Sequence, residues 1–358
     1  MAEVAATLVQ QLSSLEFDDK VSIYSLMLSR NSQLMASFQV QDTDSAYGDE
    51  VSAYSTSLTS SVLSYQFENG RRYHAFRNGI YLFPNDEVEA DRLDLMHEMT
   101  LVIMNRKLFI APLGDSPQRV LDLGTGTGIW AMDFGDLFPS SEVIGVDLSP
   151  IQPSLVPPNV KFLVDDIEEP WLYNAPFDFV HGRSLACSIK DYKKVIRQSY
   201  ELSSRTLTRK ETAQQNLSRN VAPGGWVEFQ DWDMQLYSED GTTSQTSLEN
   251  YCDVVFSAFA RAGYSTSPGP QLERWLREAG FEDVHAQRYK VPLGVWPKNK
   301  YFKTIGSWNL LQAETGFEAA AMAILSRNGG WPKGDILDLV DETRIDARSS
   351  SIHPFFYL

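Results

Sequence analysis

Cysteine is scarce in this chain. Only Cys187 and Cys252 occur among 358 residues, far apart and without metal-ligand spacing. That argues against a disulfide framework or a metal centre and fits a reducing compartment. No run of about 18 apolar residues exists, so no membrane span is expected. The opening Met1-Ala2-Glu3-Val4 has no basic stretch leading into an apolar one, so no secretory leader is expected either. The compartment these features suggest is the cytoplasm, with the nucleus as the alternative. Positive charge is in deficit: 31 Lys and Arg stand against 47 Asp and Glu, a formal net charge of -16. Nucleic-acid binding relies on neutralising phosphates, so such a partner is not expected, and the acidity reads as solubility.

Apolar residues, by contrast, make up 43 % of the chain and aromatics 12 %, ample for a sizeable core. The length suits one large α/β domain with extensions. Val4 to Leu15 carries apolar residues at helical spacing, whereas Asp42 to Ser64 is rich in Ser, Thr and acids and is expected to be flexible. Order is expected from near Gly70. Leu93, Met96, Met99, Val102 and Ile103 form a helical stripe within Asp91–Leu108. Strand-like runs follow at Arg119–Leu123, Glu142–Val146, Val160–Val164, Phe177–Val180 and Gly225–Phe229, with a helix at Gly128–Phe138. Strands alternating with helices imply right-handed crossovers and a mostly parallel sheet covered on both faces. Ser267-Pro268 looks like a helix start, Gly280 like its end, Phe281–Val291 like one or two strands, and the chain from Pro297 like further helix. The divisions expected are 1–64, a flexible region; 65–117, a helical lid; 118–291, the core; and 292–358, a helical extension.

The stretch Val120-Leu121-Asp122-Leu123-Gly124-Thr125-Gly126-Thr127-Gly128 is the most informative. A buried strand enters a loop with glycine at alternate positions, and a helix begins at Ile129-Trp130. Glycine lets the backbone turn tightly and approach a ligand that a Cβ would block. The dinucleotide fingerprint needs glycine where Ile129 stands, and the strand-end Asp122 is atypical for a pyrophosphate site. A carboxylate there suits a cofactor bearing a sulfonium and an amine. Asp147 ends the next strand and can accept both ribose hydroxyls of an adenosine; Asp165-Asp166-Ile167 ends the third, where a carboxylate can accept from an adenine amino group. His181, Gly182 and Arg183 end the fourth strand, where substrate and cofactor meet. His181 is the catalytic candidate, as a base of near-neutral pKa, or else a hydrogen-bonded structural group. His97 is a lesser candidate, its spacing with Leu93 favouring packing.

Val120 to Trp130, Val146-Asp147-Leu148-Ser149-Pro150-Ile151-Gln152-Pro153, Pro157-Pro158-Asn159-Val160, Asp165 to Trp171, Asn69-Gly70-Arg71-Arg72-Tyr73-His74-Ala75-Phe76, Leu82 to Glu87 and His181-Gly182-Arg183 together resemble the fungal LaeA-like methyltransferases, over about Ser61 to the end. The resemblance implies a class I, Rossmann-like α/β fold with a seven-stranded mostly parallel sheet, S-adenosylmethionine as cofactor, and a role in fungal secondary metabolism. It also implies that Tyr73 to Leu95 packs beside the cofactor. Tyr73, Phe76, Tyr81 and Phe83 would offer aromatic surface to a substrate or sulfonium, or serve as core aromatics anchoring a lid. Arg77 would pair with the cofactor carboxylate or form a surface ion pair, and residues 84–87 make a turn or a helix start. The cofactor-binding set expected is Tyr73, Asp122, Gly124, Thr125, Gly126, Gly128, Asp147, Leu148, Asp165, Asp166, Ile167 and Arg183.

Two departures from the resemblance stand out. Residues 202–219, rich in Ser, Thr, Gln and basic residues, intervene before Pro223-Gly224-Gly225-Trp226, and read as a surface loop or a translated intron. The chain also ends soon after His353-Pro354-Phe355-Phe356, where relatives of the family it resembles continue with a short strand-like tail, which reads as either a truncated sequence or a lost edge strand. Three functions follow from these readings: methylation of a small-molecule O or N acceptor, a nuclear regulator with a velvet-type protein partner, or a cofactor-binding fold turned to non-methylating chemistry.

Overall fold

The computed structural model describes residues 62, 64–173, 175–200 and 221–358. The expectations for 1–61 and for the insert 202–219 lie outside them. In chain order the elements are β1 (Gln66–Glu68), β2 (Arg71–Tyr73), α1 (Glu87–Ile103), β3 (Arg119–Leu123), α2 (Ile129–Leu137), β4 (Glu142–Asp147), β5 (Val160–Val164), β6 (Phe177–Arg183), α3 (Tyr192–Tyr200), β7 (Val221–Gln230), β8 (Asp233–Tyr237), α4 (Ser247–Arg261), α5 (Gly269–Ala279), β9 (Lys290–Pro292), α6 (Lys300–Ala323), a π-helical turn (Ile324–Asn328), α7 (Lys333–Arg348) and β10 (Phe355–Tyr357).

The parallel sheet runs β5-β4-β3-β6-β7, so β3 and its glycine loop lie at the centre. Alternation along β3 divides two cores. Val120 packs on one face with Trp130, Ala131 and Phe134 of α2 and with Val143, Val160 and Phe179. Leu121 and Leu123 pack on the other with Tyr192, Val195 and Ile196 of α3 and Leu272 of α5. The expected α/β architecture with helices on both faces is present. A third core joins α1 to α4, α6 and α7. α1 and the C-terminal helices, far apart in sequence, thus form one helical layer: the Tyr301 hydroxyl donates to the Ile103 carbonyl at 2.9 Å and Arg92 to Gln312 at 3.0 Å.

Several expectations change. Among the described residues the parallel sheet has five strands rather than seven. Phe281–Val291 contributes only β9. β8, β10 and β9 form a separate antiparallel sheet in which β10, made of the chain's last residues, is the middle strand. Among the described residues one edge of β7 is unpaired, beside a cleft of about 1120 Å³ lined also by α5 and residues 280–289. The helix read over 91–108 begins earlier, because Asp86 caps it by accepting from the Glu89 N–H. Ser267 does not cap α5: its hydroxyl accepts from the Met234 N–H, and the Pro268 carbonyl takes the first helical N–H groups. Both cysteines are free and buried, and among the described residues no helix is long and apolar enough to cross a membrane.

Phe134 is fully buried, its ring centroid within 6.0 Å of those of Trp130, Phe109, Phe138 and Phe179. Phe134→Ala is expected to lower unfolding stability by about 3–5 kcal/mol in a denaturant titration; a loss below about 1 kcal/mol would contradict this packing.

Candidate active site

Gly124, Gly126 and Gly128 have φ of +63°, +59° and +81°. Every second residue of the loop is therefore left-handed, which only glycine adopts without strain. Neighbours fix the loop from three sides. The Thr125 N–H donates to the Val146 carbonyl at 2.9 Å, the Gly126 N–H to Asp147 Oδ2 at 2.9 Å, and Gln152 Nε2 to the Gly126 carbonyl at 2.7 Å. From the lid, Thr127 Oγ1 donates to Asp94 Oδ1 at 2.7 Å. A Cβ at Gly128 would overlap the Phe162 ring, and one at Gly124 would come within 2.6 Å of Leu185.

The carboxylates divide into two kinds. Asp122 turns inward, accepting from Thr125 Oγ1 at 2.5 Å and from His181 Nδ1 at 2.7 Å. It is buried, and both oxygens have partners that tie it to the loop and to β6. His181 is also fully buried, its ring stacked on Trp130 with centroids 3.7 Å apart. With Nδ1–H given to Asp122, its Nε2 is a bare acceptor with no partner inside the core. His181 is thus enclosed between Asp122 and Trp130. Asp147 is half-buried at the tip of β4. Besides Gly126 it accepts from the Ser149 N–H at 2.9 Å, and burial raises its pKa to about 6. Its neighbour Leu148 is half-buried as well.

At the end of β5, Asp165 accepts from the Asp166 N–H, and Asp166 accepts from the Glu168 N–H at 2.9 Å. Arg77 pairs with Asp166 at 2.7 Å and with Glu169 at 2.6 Å, so of its two sequence readings the structure shows the ion pair. Ile167 packs into the sheet core. Tyr73 is fully buried in the helical core beneath the Arg327 guanidinium, 4.7 Å from its ring centroid, among residues of another environment than the loop. Phe83 stacks on Phe259, also within that core. Tyr81 sits closer to the sheet edge: burial, then Glu89 and Asp147, push its hydroxyl well above the ordinary tyrosine range.

Sequence reasoning missed Asp94 and Asp133 and left His97 as a packing residue. Leu93, Asp94 and His97 share one face of α1, and polar groups interrupting an apolar helical stripe were the available signal. Burial raises the Asp94 pKa to about 6. His97 accepts from Arg183 Nη2 at 2.7 Å, and Arg183 Nη1 is buried with no partner among the described residues. Burial lowers the Arg183 pKa to about 10. Beside a loop shaped for close backbone approach, that bare donor suits a ligand carboxylate, and the half-buried Asp147 suits a diol. The residues present fit an aminoacyl nucleoside cofactor. Among the described residues no cluster of three His, Cys, Asp or Glu could hold a metal.

Residues 95–286 match a family profile described as "Methyltransferase domain". The chain is 40 % identical over 303 residues to "Methyltransferase pytC" of Aspergillus terreus, covering 84 % of this chain and 88 % of that one. It is 33 % identical over 296 residues to "Secondary metabolism regulator LAE1" of Cochliobolus heterostrophus, covering 80 % and 91 %. Among solved structures, a phosphoethanolamine N-methyltransferase 2 of Haemonchus contortus in complex with phosphomonomethylethanolamine and S-adenosylhomocysteine aligns at a TM-score of 0.40 and 21 % identity, over 73 % of this chain and 51 % of that one.

Gly128→Ala is expected to destabilise the fold more than Gly79→Ala. Both positions have φ near +85° (+81° and +88°), but nothing lies within 4 Å of a Cβ at Gly79. Equal thermal shifts for the two variants would contradict the close packing on Phe162.

Proposed function

The chain belongs to the fungal LaeA-like family of S-adenosylmethionine-dependent methyltransferases, and from that premise we propose that it methylates an oxygen or nitrogen of a small-molecule acceptor in secondary metabolism. The observation that carries the site assignment is the unpartnered, buried Nη1 of Arg183 beside the loop at 124–128. Arg183 would take the cofactor carboxylate and Asp147 the ribose hydroxyls, with Leu148 and Asp166 flanking the adenine. The glycine-loop backbone would pass beneath the aminoacyl arm.

When bound, the cofactor supplies an electrophilic methyl on a sulfonium. The chain's own contribution is positioning, which can lower the barrier by several kcal/mol. The layer built from α1, α4, α6 and α7 would shield the acceptor from water, since α1 also reaches the glycine loop through Asp94. Methylation of a hydroxyl or amine releases one proton. His181, with Nδ1 on Asp122 and its ring under Trp130, is assigned to holding the loop, so that proton leaves to solvent or through another group. Greater identity to a protein named a methyltransferase, 40 %, than to one named a regulator, 33 %, favours acceptor methylation over regulation with a velvet-type partner.

Deletion of the gene distinguishes these readings. Accumulation of one metabolite lighter by a methylene is expected; loss of many unrelated metabolites would instead support the regulator, and unchanged masses with a rearranged skeleton the non-methylating alternative. In calorimetry, Asp147→Ala is expected to weaken S-adenosylhomocysteine binding about 10- to 100-fold, as two hydrogen bonds to a charged group are lost. Unchanged affinity would remove Asp147 from the ribose role. Because burial raises its pKa to about 6 and only the ionised form accepts from both hydroxyls, wild-type affinity is expected to fall as pH drops through about 6. Binding that stays flat from pH 7.5 to 5 would contradict this.

A further inference from the structure

Arg183 stands at the end of β6 with an unusual set of neighbours. Among the described residues no carboxylate lies within ion-pair distance of it. The acids whose fields reach it are engaged elsewhere: Asp122 with His181 and Thr125, Asp133 with His97, and Glu228 with the Ile110 and Ala111 N–H groups. Its one hydrogen bond runs from Nη2 to Nδ1 of His97, at 2.7 Å. A guanidinium has only donors, so His97 Nδ1 must be bare and the imidazole proton must sit on Nε2. That nitrogen lies 3.0 Å from Asp133 Oδ2, which accepts it. A chain from β6 through α1 to α2 thus fixes the His97 tautomer and the direction in which Arg183 points.

We propose that His97, oriented by Asp133, is a positioning residue that aims the free Arg183 Nη1 at the carboxylate of the cofactor's aminoacyl arm. The inference rests on the reading of Arg183 given above. It also makes affinity for that arm sensitive to pH. His97 has 1 % exposure, and burial first, then Arg183, favour its neutral form, while Asp133 and the nearby Glu98 oppose them. Once protonated, His97 presents a second N–H to a guanidinium that also has only donors, and Arg183 loses its support.

The test compares two ligands on the full chain by calorimetry. S-adenosylhomocysteine carries the carboxylate; 5′-methylthioadenosine shares the nucleoside but has no aminoacyl arm. Arg183→Met is expected to weaken the first about 10- to 100-fold and leave the second unchanged. If it does not, the carboxylate reading fails and the inference falls with it. Given that result, His97→Ala is expected to cost S-adenosylhomocysteine about tenfold with 5′-methylthioadenosine unchanged. His97→Asn, whose Oδ1 stands where Nδ1 accepts, is expected to stay within about threefold of wild type. In the wild type the ratio of the two affinities is expected to decline once the pH falls below the ordinary histidine range, because burial lowers the His97 pKa, and in His97→Asn to stay flat. Asp147 and Asp94 titrate near 6 but serve the ribose and the loop, so they act on both ligands and cancel in the ratio. Equal losses for both ligands in His97→Ala would mark a merely structural role and overturn the proposal, as would a pH-independent ratio in the wild type.

Discussion

A five-residue loop held in a left-handed zigzag is the constraint on which the rest of the molecule leans. Gly124, Gly126 and Gly128 give up the side chains that would otherwise pack there, and neighbouring elements bond the loop in place through its backbone and its threonine hydroxyls. β4 supplies Asp147, the lid supplies Asp94, and the strand that launches the loop supplies Asp122. Positive φ at alternate positions costs a glycine little, and it turns backbone N–H groups away from regular ladder bonds. The same geometry keeps α2 close to the sheet, with Phe162 beneath Gly128 and Trp130 over His181.

Around that loop, two kinds of buried acid do different work. Asp122 is saturated by a hydroxyl and an imidazole and behaves as part of the scaffold. Asp147 and Asp94 keep partial contact with solvent, and burial holds both near neutrality on the pH scale. Arg183 is their counterpart of opposite sign, held by a neutral histidine instead of an acid. A cation without an anionic partner is unfavourable in a buried setting unless a ligand completes it. The buried Nη1 of Arg183, a donor with no acceptor among the described residues, is what the proposed carboxylate role rests on.

Much of this was legible in the residues. The strand–loop–helix at 119–137 and the acids at strand tips follow from periodicity and glycine spacing, because those signals are local. Less legible was anything set by long-range packing. Nothing near His181 announced that Trp130 would lie flat on it, since the two are brought together only by the pairing of β3 with β6. His97 looked like a core residue because its partners come from α2 and β6. The placing of the last strands was illegible for a similar reason: Phe355–Tyr357 finds its ladder partners in β8 and β9, distant in sequence, rather than in the parallel sheet.

The most direct measurement is a crystal structure of the chain grown with S-adenosylhomocysteine. The account predicts the ligand across residues 124–128, its ribose hydroxyls on Asp147 and its carboxylate on Arg183 Nη1. A ligand lodged instead in the cleft beside β7, or one whose carboxylate points away from Arg183 into solvent, would contradict it.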